Sequence, residues 1–244
     1  MRKFVLIDVF NFTLIAAFTS LKAEEERREE VFSSILSSMI IKLKNQFPNA
    51  TFYACWDSFG GTQFRKEIDP NYKSNRPEKK AIDFKSVIGT KPLYEFYGVK
   101  NVILPETEAD DVIYVLAKEL RSKYPTSYIS VISRDHDMIQ VVQAKYANEI
   151  YDPIKKKTMD IPWYSIVEYK SLVGDSSDNI PGVKGIGPKN AERIIAKTLT
   201  TSDIKSQLNE QQFKEYSKCK SIIDAKLHPR LKENSELIKC FLND

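Results

Sequence analysis

Acidic residues follow four short apolar segments of the sequence. Asp8 comes directly after one apolar run, and Asp57 comes directly after a second. The acids that come shortly after the other two runs are Glu108, Asp110, Asp111, Asp135 and Asp137. A single acid at a strand end is most often a helix cap, but the repetition at four strand ends favours one shared acidic site. Two carboxylates about 4 Å apart repel by roughly 4 kcal/mol at an effective dielectric of about 20, so such a cluster requires cations.

The donor types indicate which cation would bind. The chain has 2 histidines and 3 widely spaced cysteines, without the close pairs that are typical of zinc sites. Carboxylate oxygens prefer hard ions, so the sequence predicts Mg²⁺ or Mn²⁺ as the kind of ion bound. Two such ions about 4 Å apart can generate hydroxide and promote in-line cleavage of a phosphodiester. No convincing Ser/His/Asp or Cys/His set competes with this interpretation.

The elements that must position these acids alternate between strand and helix. Segments 4–7, 51–56, 101–104 and 128–132 are short, apolar on both faces and rich in β-branched and aromatic residues, as in buried parallel strands. Segments 29–44 and 107–123 have helical apolar spacing, and Thr107 is a candidate N-cap of the second helix. The pattern predicts an α/β fold with a doubly wound, mainly parallel sheet.

A glycine-rich segment at 174–189 predicts a second kind of site. Gly182, Gly185 and Gly187 permit a tight turn, and Pro188 can begin the following helix. Such a hairpin can hold a backbone phosphate without reading bases, and Lys184 and Lys189 support that interpretation.

Basic residues are concentrated between Arg65 and Lys91, although the net charge of the chain is only +4. This segment also contains Pro70 and Pro77, so it is expected to be a mobile, partly helical excursion from the body of the protein. Charge alone does not distinguish a DNA-binding segment from an ordinary solvated loop.

Composition excludes several protein classes. The 244 residues are 42% hydrophobic and 29% charged, which is typical of a globular protein. No run approaches the roughly 18 apolar residues that a membrane span requires. The amino-terminal run lacks a small-residue cleavage site, and the odd number of cysteines suits a reducing compartment, so we expect a cytoplasmic protein.

Several motifs together resemble the 5′ nucleases, the family that includes flap endonucleases, phage 5′ exonucleases and the nuclease domain of bacterial DNA polymerase I. The resemblance runs from Asp8 to about Lys197. Its motifs, in order, are Trp56-Asp57-Ser58, Phe64-Arg65, Tyr72-Lys73-Ser74-Asn75-Arg76, Glu108-Ala109-Asp110-Asp111, Asp135-His136-Asp137 and Gly174-Asp175-Ser176-Ser177-Asp178-Asn179. The sequence has Val9 and Ile15 where this family commonly has Gly and Arg.

The resemblance implies a structure-specific flap endonuclease and 5′-3′ exonuclease with two metal sites. One site would use Asp8, Asp57, Glu108, Asp110 and Asp111, and the other Asp135, Asp137, Asp175 and Asp178. Lys73 and Arg76 would contact the scissile phosphate. The implied DNA-binding residues are Arg65, Tyr72, Lys184, Gly185, Gly187, Lys189 and Asn190. A potassium ion would be held by the backbone carbonyls of Leu172, Val173, Pro181, Val183 and Ile186.

The resemblance also implies an organisation and a set of partners. Residues 1–160 would form a PIN-like nuclease core with a helical arch at about 65–92, residues 161–200 a helix-hairpin-helix element, and residues 201–244 helices that pack on the core. The substrate would be branched or 5′-ended DNA, such as flap, nicked or overhang duplexes, with RNA/DNA hybrids as a further candidate. The protein would act as a monomer in a bacterial cell or phage-infected host.

Two other functions fit parts of the sequence. A branched-DNA binding module could keep the fold without turnover, and Val9 and Ile15 are its only support. A compact ribonuclease could share the acidic sheet edge, but it would give no reason for the hairpin from Gly182 to Gly187. Comparing cleavage of DNA and RNA flaps separates these alternatives.

Overall fold

The computed structural model describes residues 1–76, 84–198 and 203–243. Part of the predicted arch, residues 77–83, lies outside the described residues. The described residues divide into two compact units. Unit 1 comprises residues 1–61, 78–159 and 233–244, and unit 2 comprises residues 62–77 and 160–232.

Unit 1 is built on a six-stranded sheet in the order β3-β2-β1-β4-β5-β6. The strands are β1 (Lys3–Asp8), β2 (Ala50–Trp56), β3 (Lys100–Ile103), β4 (Tyr128–Ile132), β5 (Glu149–Asp152) and β6 (Lys157–Thr158). All neighbouring pairs are parallel except β5 with β6. The four predicted strands are therefore confirmed, and β5 and β6 are additions that the sequence pattern did not indicate.

Helices cover the sheet. The helices of unit 1 are α1 (Val9–Ser20), α2 (Arg28–Gln46), α4 (Phe84–Ile88), α5 (Lys91–Phe96), α6 (Ala109–Lys123), α7 (Ile139–Gln143) and most of α11 (Leu231–Phe241), and α3 (Gln63–Ile68) belongs to unit 2. Val5 and Ile7 of β1 pack with Phe12 of α1 and Leu36 of α2 in one buried cluster. Because successive strand residues point to opposite faces, Phe4 and Leu6 face the other side of the sheet. The mainly parallel α/β prediction is confirmed.

The amino terminus of α6 differs from its prediction. The helix begins at Ala109 with Glu108 as N-cap, whereas Thr107 was expected to cap it. The Thr107 backbone N–H instead donates to Ser58 Oγ at 2.8 Å, and its hydroxyl donates to the Pro105 carbonyl. The Thr107 side chain is therefore engaged in the preceding turn and does not cap the helix.

Unit 2 is helical. Its remaining helices are α8 (Ile166–Val173), α9 (Pro188–Thr198) and α10 (Glu210–Ile223). Leu172, Val183, Ala191, Ile195 and Tyr216 form its buried core. Helices were expected for residues 201–244, and the described part of that segment, residues 203–243, contains α10, α11 and two short 3₁₀ turns.

None of the helices in the described ranges is long and apolar enough to cross a lipid bilayer.

Candidate active site

Three of the predicted acids lie at the carboxyl ends of neighbouring strands in unit 1. Asp8 ends β1, Asp57 follows β2, and Asp135 follows β4. Because β1 lies between β2 and β4 and all three are parallel, these ends share one edge of the sheet. This is the edge at which open α/β sheets bind their ligands.

The carboxylate of Asp8 is held in a fixed position. Its Oδ1 accepts a hydrogen bond from the Asn11 backbone N–H at 3.1 Å, and its Oδ2 accepts one from Ser133 Oγ at 2.9 Å. Asp8 is buried. Burial, followed by the negative charges of Asp57 and Asp135, raises the pKa of Asp8 to about 7. Asp57 and Asp135 are therefore close enough to Asp8 to raise its pKa.

A second group of acids surrounds the start of α6. The Ala109 backbone N–H donates to Asp57 Oδ1 at 3.0 Å, which ties the end of β2 to the first turn of this helix. Glu108 and Asp111 are buried there, and Asp110 is partly exposed. The positive end of the α6 dipole stabilises these negative charges and offsets part of the repulsion between them.

Asp135 and Asp137 belong to a short 3₁₀ turn after β4. The Asp135 backbone N–H donates to Ser133 Oγ at 3.0 Å, and Asp135 Oδ1 accepts from the Asp137 backbone N–H at 2.8 Å. Ser133 thus contacts both Asp8 and Asp135. These contacts bring Asp135 close to Asp8. Asp137 lies two residues further along the chain.

In unit 2, Asp178 is surrounded by donors. Arg76 Nη2 donates to Asp178 Oδ1 at 2.6 Å, Lys73 Nζ lies 3.7 Å from Oδ2, and the Tyr72 hydroxyl donates to Oδ2 at 3.3 Å. Lys73 has φ 57°, and its backbone N–H donates to the Asp178 carbonyl at 2.9 Å. The structure therefore brings the two predicted phosphate-contacting cations together on one carboxylate.

Asp175 has a different cation. Lys170 Nζ lies 2.6 Å from Asp175 Oδ2, and the Ser177 backbone and hydroxyl both donate to Oδ1. Burial raises the pKa of Asp175, but the bonds from Lys170 and Ser177 outweigh it, so the pKa is lowered overall. Asp175 is thus ionised and held by an ion pair.

The glycine-rich segment forms a tight hairpin between α8 and α9. A Cβ on Gly174 would meet the Ile180 carbonyl oxygen at 2.4 Å, and a Cβ on Gly182 would meet the Val173 backbone at 2.4 Å. Only glycine permits this approach of two backbone segments. The predicted contacts Lys184, Gly185, Gly187, Lys189 and Asn190 are all exposed on the hairpin and the start of α9.

The five predicted potassium-binding carbonyls belong to the same hairpin. The Leu172 carbonyl accepts from the Val183 N–H at 2.8 Å, and the Val183 carbonyl accepts from the Ile186 N–H at 3.1 Å. Val173 and Pro181 lie where Gly174 and Gly182 bring the two segments together. Potassium binding there stays a prediction.

A family model described as 5′-3′ exonuclease, N-terminal resolvase-like domain, matches residues 3–169. The chain belongs to the 5′-3′ exonuclease family. A second model, described as 5′-3′ exonuclease, C-terminal SAM fold, matches residues 161–241. The resemblance to the 5′ nucleases that the motifs indicated is confirmed.

Among curated relatives, a 5′-3′ exonuclease of Buchnera aphidicola (Schizaphis graminum) is 29% identical over 205 residues, covering 80% of this chain and 69% of that protein. The flap endonuclease Xni of Shewanella denitrificans is 27% identical over 228 residues, covering 89% of this chain and 86% of the relative. A Buchnera aphidicola (Baizongia pistaciae) 5′-3′ exonuclease is 33% identical, and this chain spans 54% of its length.

A solved structure of bacteriophage T5 flap endonuclease, described as a pseudo-enzyme-product complex with DNA and metal ions, matches the fold of this 5′-3′ exonuclease family member. The match has a TM-score of 0.70 with 20% identity and covers 100% of both chains. A T5 5′-exonuclease structure with bound zinc ions matches with a TM-score of 0.60 and 21% identity, covering 98% of this chain and 89% of that one. At these identities the likeness shows the fold alone.

The acids of unit 1 fit divalent metal in their chemistry and in their neighbourhood. Asp8, Asp57 and Asp135 share one edge of the sheet, and their mutual repulsion is what a divalent ion would relieve. Within the described residues, however, no group of three or more His, Cys, Asp or Glu side chains is arranged to hold an ion. Asp8, Asp57 and Asp135 each accept a hydrogen bond on one carboxylate oxygen.

Two predicted DNA-binding residues are buried in this family member. Arg65 is 3% exposed, and its Nε donates to the Ile222 carbonyl at 2.9 Å. Tyr72 is 3% exposed and directs its hydroxyl to Asp178. Both side chains are therefore held inside unit 2, and their contact with DNA stays a prediction.

Sequence reasoning missed Ser133, Asn11 and Lys170. Ser133 and Asn11 hold the Asp8 carboxylate, and Lys170 neutralises Asp175. The spacing gave a partial signal, since Asn11 lies three residues after Asp8 at the start of a helix, as in a side-chain cap. Ser133 and Lys170 act through tertiary contacts, which spacing alone does not encode.

Proposed function

We propose that this chain is a structure-specific 5′ nuclease that hydrolyses DNA phosphodiester bonds near junctions between single and double strands, with flap endonuclease and 5′-3′ exonuclease activities. The observation that carries the proposal is the meeting of Asp8, Asp57 and Asp135 at one sheet edge in a member of the 5′-3′ exonuclease family. The relative Xni, which matches over most of both chains, is described as a flap endonuclease.

Two or more Mg²⁺ or Mn²⁺ ions are the proposed cofactors. When bound, such ions supply an activated water and neutralise charge on the phosphate. We assign the first ion to Asp8, Asp57, Glu108, Asp110 and Asp111, and further ligation to Asp135, Asp137, Asp175 and Asp178. The buried carboxylates give strong ion affinity because burial leaves their charges poorly solvated.

The chain's own cations have a separate role. Lys73 and Arg76 each carry a charge that suits a phosphate oxygen, and Arg76 can form two parallel hydrogen bonds with it. In the described structure both pair with Asp178. A phosphate that binds Lys73 and Arg76 must therefore compete with this carboxylate, and a metal ion on Asp178 would weaken that competition.

The hairpin is proposed to hold duplex DNA by its phosphate backbone. Lys184, Lys189 and Asn190 present donors, and Gly185 and Gly187 leave the backbone open to a phosphate. Leu172, Val173, Pro181, Val183 and Ile186 are the proposed carbonyl ligands of a potassium ion. The contacts are to the backbone, so sequence preference should be slight.

The proposed substrates are flap, nicked and overhang duplexes, with RNA/DNA hybrids as a further candidate, and the proposed state is a monomer. The proposed organisation assigns residues 1–160 to the nuclease core with an arch at about 65–92, residues 161–200 to the helix-hairpin-helix element, and residues 201–244 to helices that pack on the core.

A flap substrate labelled at its 5′ end tests the function directly. Wild-type protein with Mg²⁺ should release labelled products whose length reports cleavage near the junction, and Asp110→Asn should reduce that release strongly. An RNA flap in the same duplex separates a DNA enzyme from a ribonuclease. Binding of the flap without any cleavage would support the non-enzymatic alternative and contradict the proposal.

A further inference from the structure

A small cavity lies at the amino ends of the strands of unit 1, at the edge opposite Asp8. It has a volume of about 320 Å³, and its lining includes Arg2, Lys3, Tyr53, Lys100, Tyr124 and Phe241. Lys3 begins β1 and Lys100 begins β3, whereas Asp8 ends β1. The cavity is therefore separate from the edge of the sheet at which Asp8, Asp57 and Asp135 lie.

The charged residues among the described lining of this cavity are all basic. Arg2, Lys3 and Lys100 line it without an acidic neighbour in the lining. None of these three side chains forms an ion pair with a carboxylate in the part of the chain that the structure describes. Cations gathered without an acid repel one another, so an anion in the cavity would be stabilised.

Two tyrosine hydroxyls add uncharged donors. Tyr53 is 4% exposed and lines the cavity, yet its hydroxyl has no hydrogen-bond partner within the described residues. Burial, and then the nearby Tyr124, raises the pKa of Tyr53 to about 12, so its hydroxyl keeps its proton at neutral pH. A hydroxyl that lines the cavity without a hydrogen-bond partner can donate to a ligand there.

The walls of the cavity are aromatic. The Tyr53 ring packs against Phe241 with centroids 6.1 Å apart, and the Arg2 guanidinium lies 4.2 Å from the centroid of the Tyr124 ring. A ligand with an apolar or aromatic part beside its anionic group would match these walls. The volume is at the lower end of the range for small-molecule sites, which is about 300–1,000 Å³.

We propose that this cavity binds the phosphate group of a phosphomonoester about the size of one nucleotide. Three cations and two hydroxyl donors suit a dianion with three terminal oxygens better than a carboxylate with two. Inorganic phosphate and a 5′-mononucleotide share this chemistry, and a mononucleotide would add contacts with the aromatic walls.

Calorimetric titration of the full chain in EDTA tests the proposal, since chelation removes metal-mediated binding. The probes are inorganic phosphate, 2′-deoxyadenosine 5′-monophosphate and deoxyadenosine. The mononucleotide should bind, phosphate should compete with it, and deoxyadenosine should not compete. A mononucleotide that binds tighter than phosphate identifies the nucleotide as the ligand, and equal affinity identifies phosphate alone; both support phosphate recognition.

Variants locate the binding. Tyr53→Phe removes only the hydroxyl and Lys100→Ala removes an exposed charge, and each should weaken binding about tenfold because each bond to a charged group is lost. Lys157→Ala, an exposed lysine on β6, is the matched control and should bind as wild type. The proposal is overturned if neither phosphate nor the mononucleotide binds saturably, if deoxyadenosine binds equally well, or if both variants bind as wild type.

An exposed aromatic residue beside the carboxylates carries a second inference. Phe59 is 93% exposed, two residues after Asp57. Its loop is braced: the Ser58 N–H donates to the Thr107 carbonyl at 3.0 Å, and a Cβ on Gly61 would meet the Thr107 backbone at 2.8 Å. The ring is thus held on a fixed turn in water, where it contributes nothing to the core.

We infer that Phe59 stacks on a nucleobase of the bound DNA and positions the strand at the carboxylate edge, an inference that rests on the proposed nuclease function. Stacking of a base on an aromatic side chain is sequence-tolerant, as a nuclease with slight sequence preference requires. Phe59 would act on substrate position and would not take part in bond cleavage.

Steady-state cleavage of a flap duplex tests this role. Phe59→Ala should raise KM about tenfold with a smaller change in kcat, and Phe59→Trp should restore KM because it keeps a stacking ring. Phe96→Ala removes another exposed ring, which is 81% exposed, and should have no effect. If the wild type cleaves the flap and Phe59→Ala has an unchanged KM, the stacking inference alone is overturned. If the wild type does not cleave, the proposed function is overturned.

Discussion

Arg76 Nη2 lies 2.6 Å from Oδ1 of Asp178, a residue 102 positions later in the chain. This bond joins a predicted phosphate contact to a predicted metal ligand within unit 2. Each side chain therefore already has a partner of opposite charge. A substrate phosphate would replace Asp178 as the partner of Arg76, and a metal ion would replace Arg76 as the partner of Asp178. Binding of either one should therefore favour binding of the other.

Lys73→Ala should slow cleavage more than it weakens DNA binding. A contact made chiefly as the phosphate gains charge lowers turnover, and loss of one such donor commonly costs about 10²–10³ in rate. Single-turnover cleavage and equilibrium binding of the same flap duplex measure the two effects. Lys157→Ala is the control, and equal losses in rate and affinity would show that Lys73 only tethers DNA.

In the metal-free protein, Asp8→Asn should raise the free energy of unfolding more at pH 8 than at pH 4. Burial and the charges of Asp57 and Asp135 raise the folded pKa to about 7, above the unfolded value. The folded state then holds a proton that the unfolded state has lost, so stability present at low pH is lost as pH rises through about 4 to 7. The neutral Asn avoids this loss, which is at most about 4 kcal/mol.

Urea unfolding in EDTA at pH 4 and pH 8 measures this difference. Asp160→Asn, at an exposed acid away from these carboxylates, is the control: it keeps Asp8, so its stability should change between pH 4 and pH 8 as that of the wild type does. If Asp8→Asn changes the free energy of unfolding equally at both pH values, the raised pKa of Asp8 beside Asp57 and Asp135 is contradicted.

Gly174→Ala should destabilise the hairpin far more than Gly185→Ala. Both glycines have positive φ, 89° and 83°, but only the Gly174 Cβ would clash, at 2.4 Å from a backbone oxygen. The φ penalty alone is about 1 kcal/mol, and the clash adds to it. Denaturant unfolding of both variants measures the difference, and similar losses would show that the two backbone segments are not pressed together.

Lys184→Ala and Lys189→Ala should each reduce the salt dependence of DNA binding. Each lysine that neutralises a phosphate contributes about 0.9 to the slope of log affinity against log salt concentration. Binding of a duplex with a short flap at several salt concentrations gives the slope. A slope unchanged in both variants would place the duplex contact away from the hairpin.

The sequence predicted the strands and the location of the acids because both depend on local pattern. The apolar run before Asp8 and the run before Asp57 are long enough to define buried strands, and parallel strands necessarily bring their carboxyl ends to one edge. Helix α1 was not predicted, because it is apolar on most sides and lacks an amphipathic period.

The orientation of the side chains could not be predicted from spacing. Thr107 has the residue type of an N-cap, but Ser58 engages its backbone N–H, and the helix begins later. Arg65 has the charge of a DNA contact, but the Ile222 carbonyl holds it inside unit 2. Both outcomes depend on partners that are far away in the sequence.

Titration of the full chain with Mn²⁺, followed by the loss of the free-ion electron paramagnetic resonance signal, tests the central claim most directly. Wild-type protein and Asp160→Asn should bind Mn²⁺ saturably, and Asp8→Asn and Asp57→Asn should each weaken that binding at least tenfold. Mn²⁺ binding of equal strength in all four proteins, or no saturable binding in the wild type, would contradict a metal site at the shared edge of the sheet.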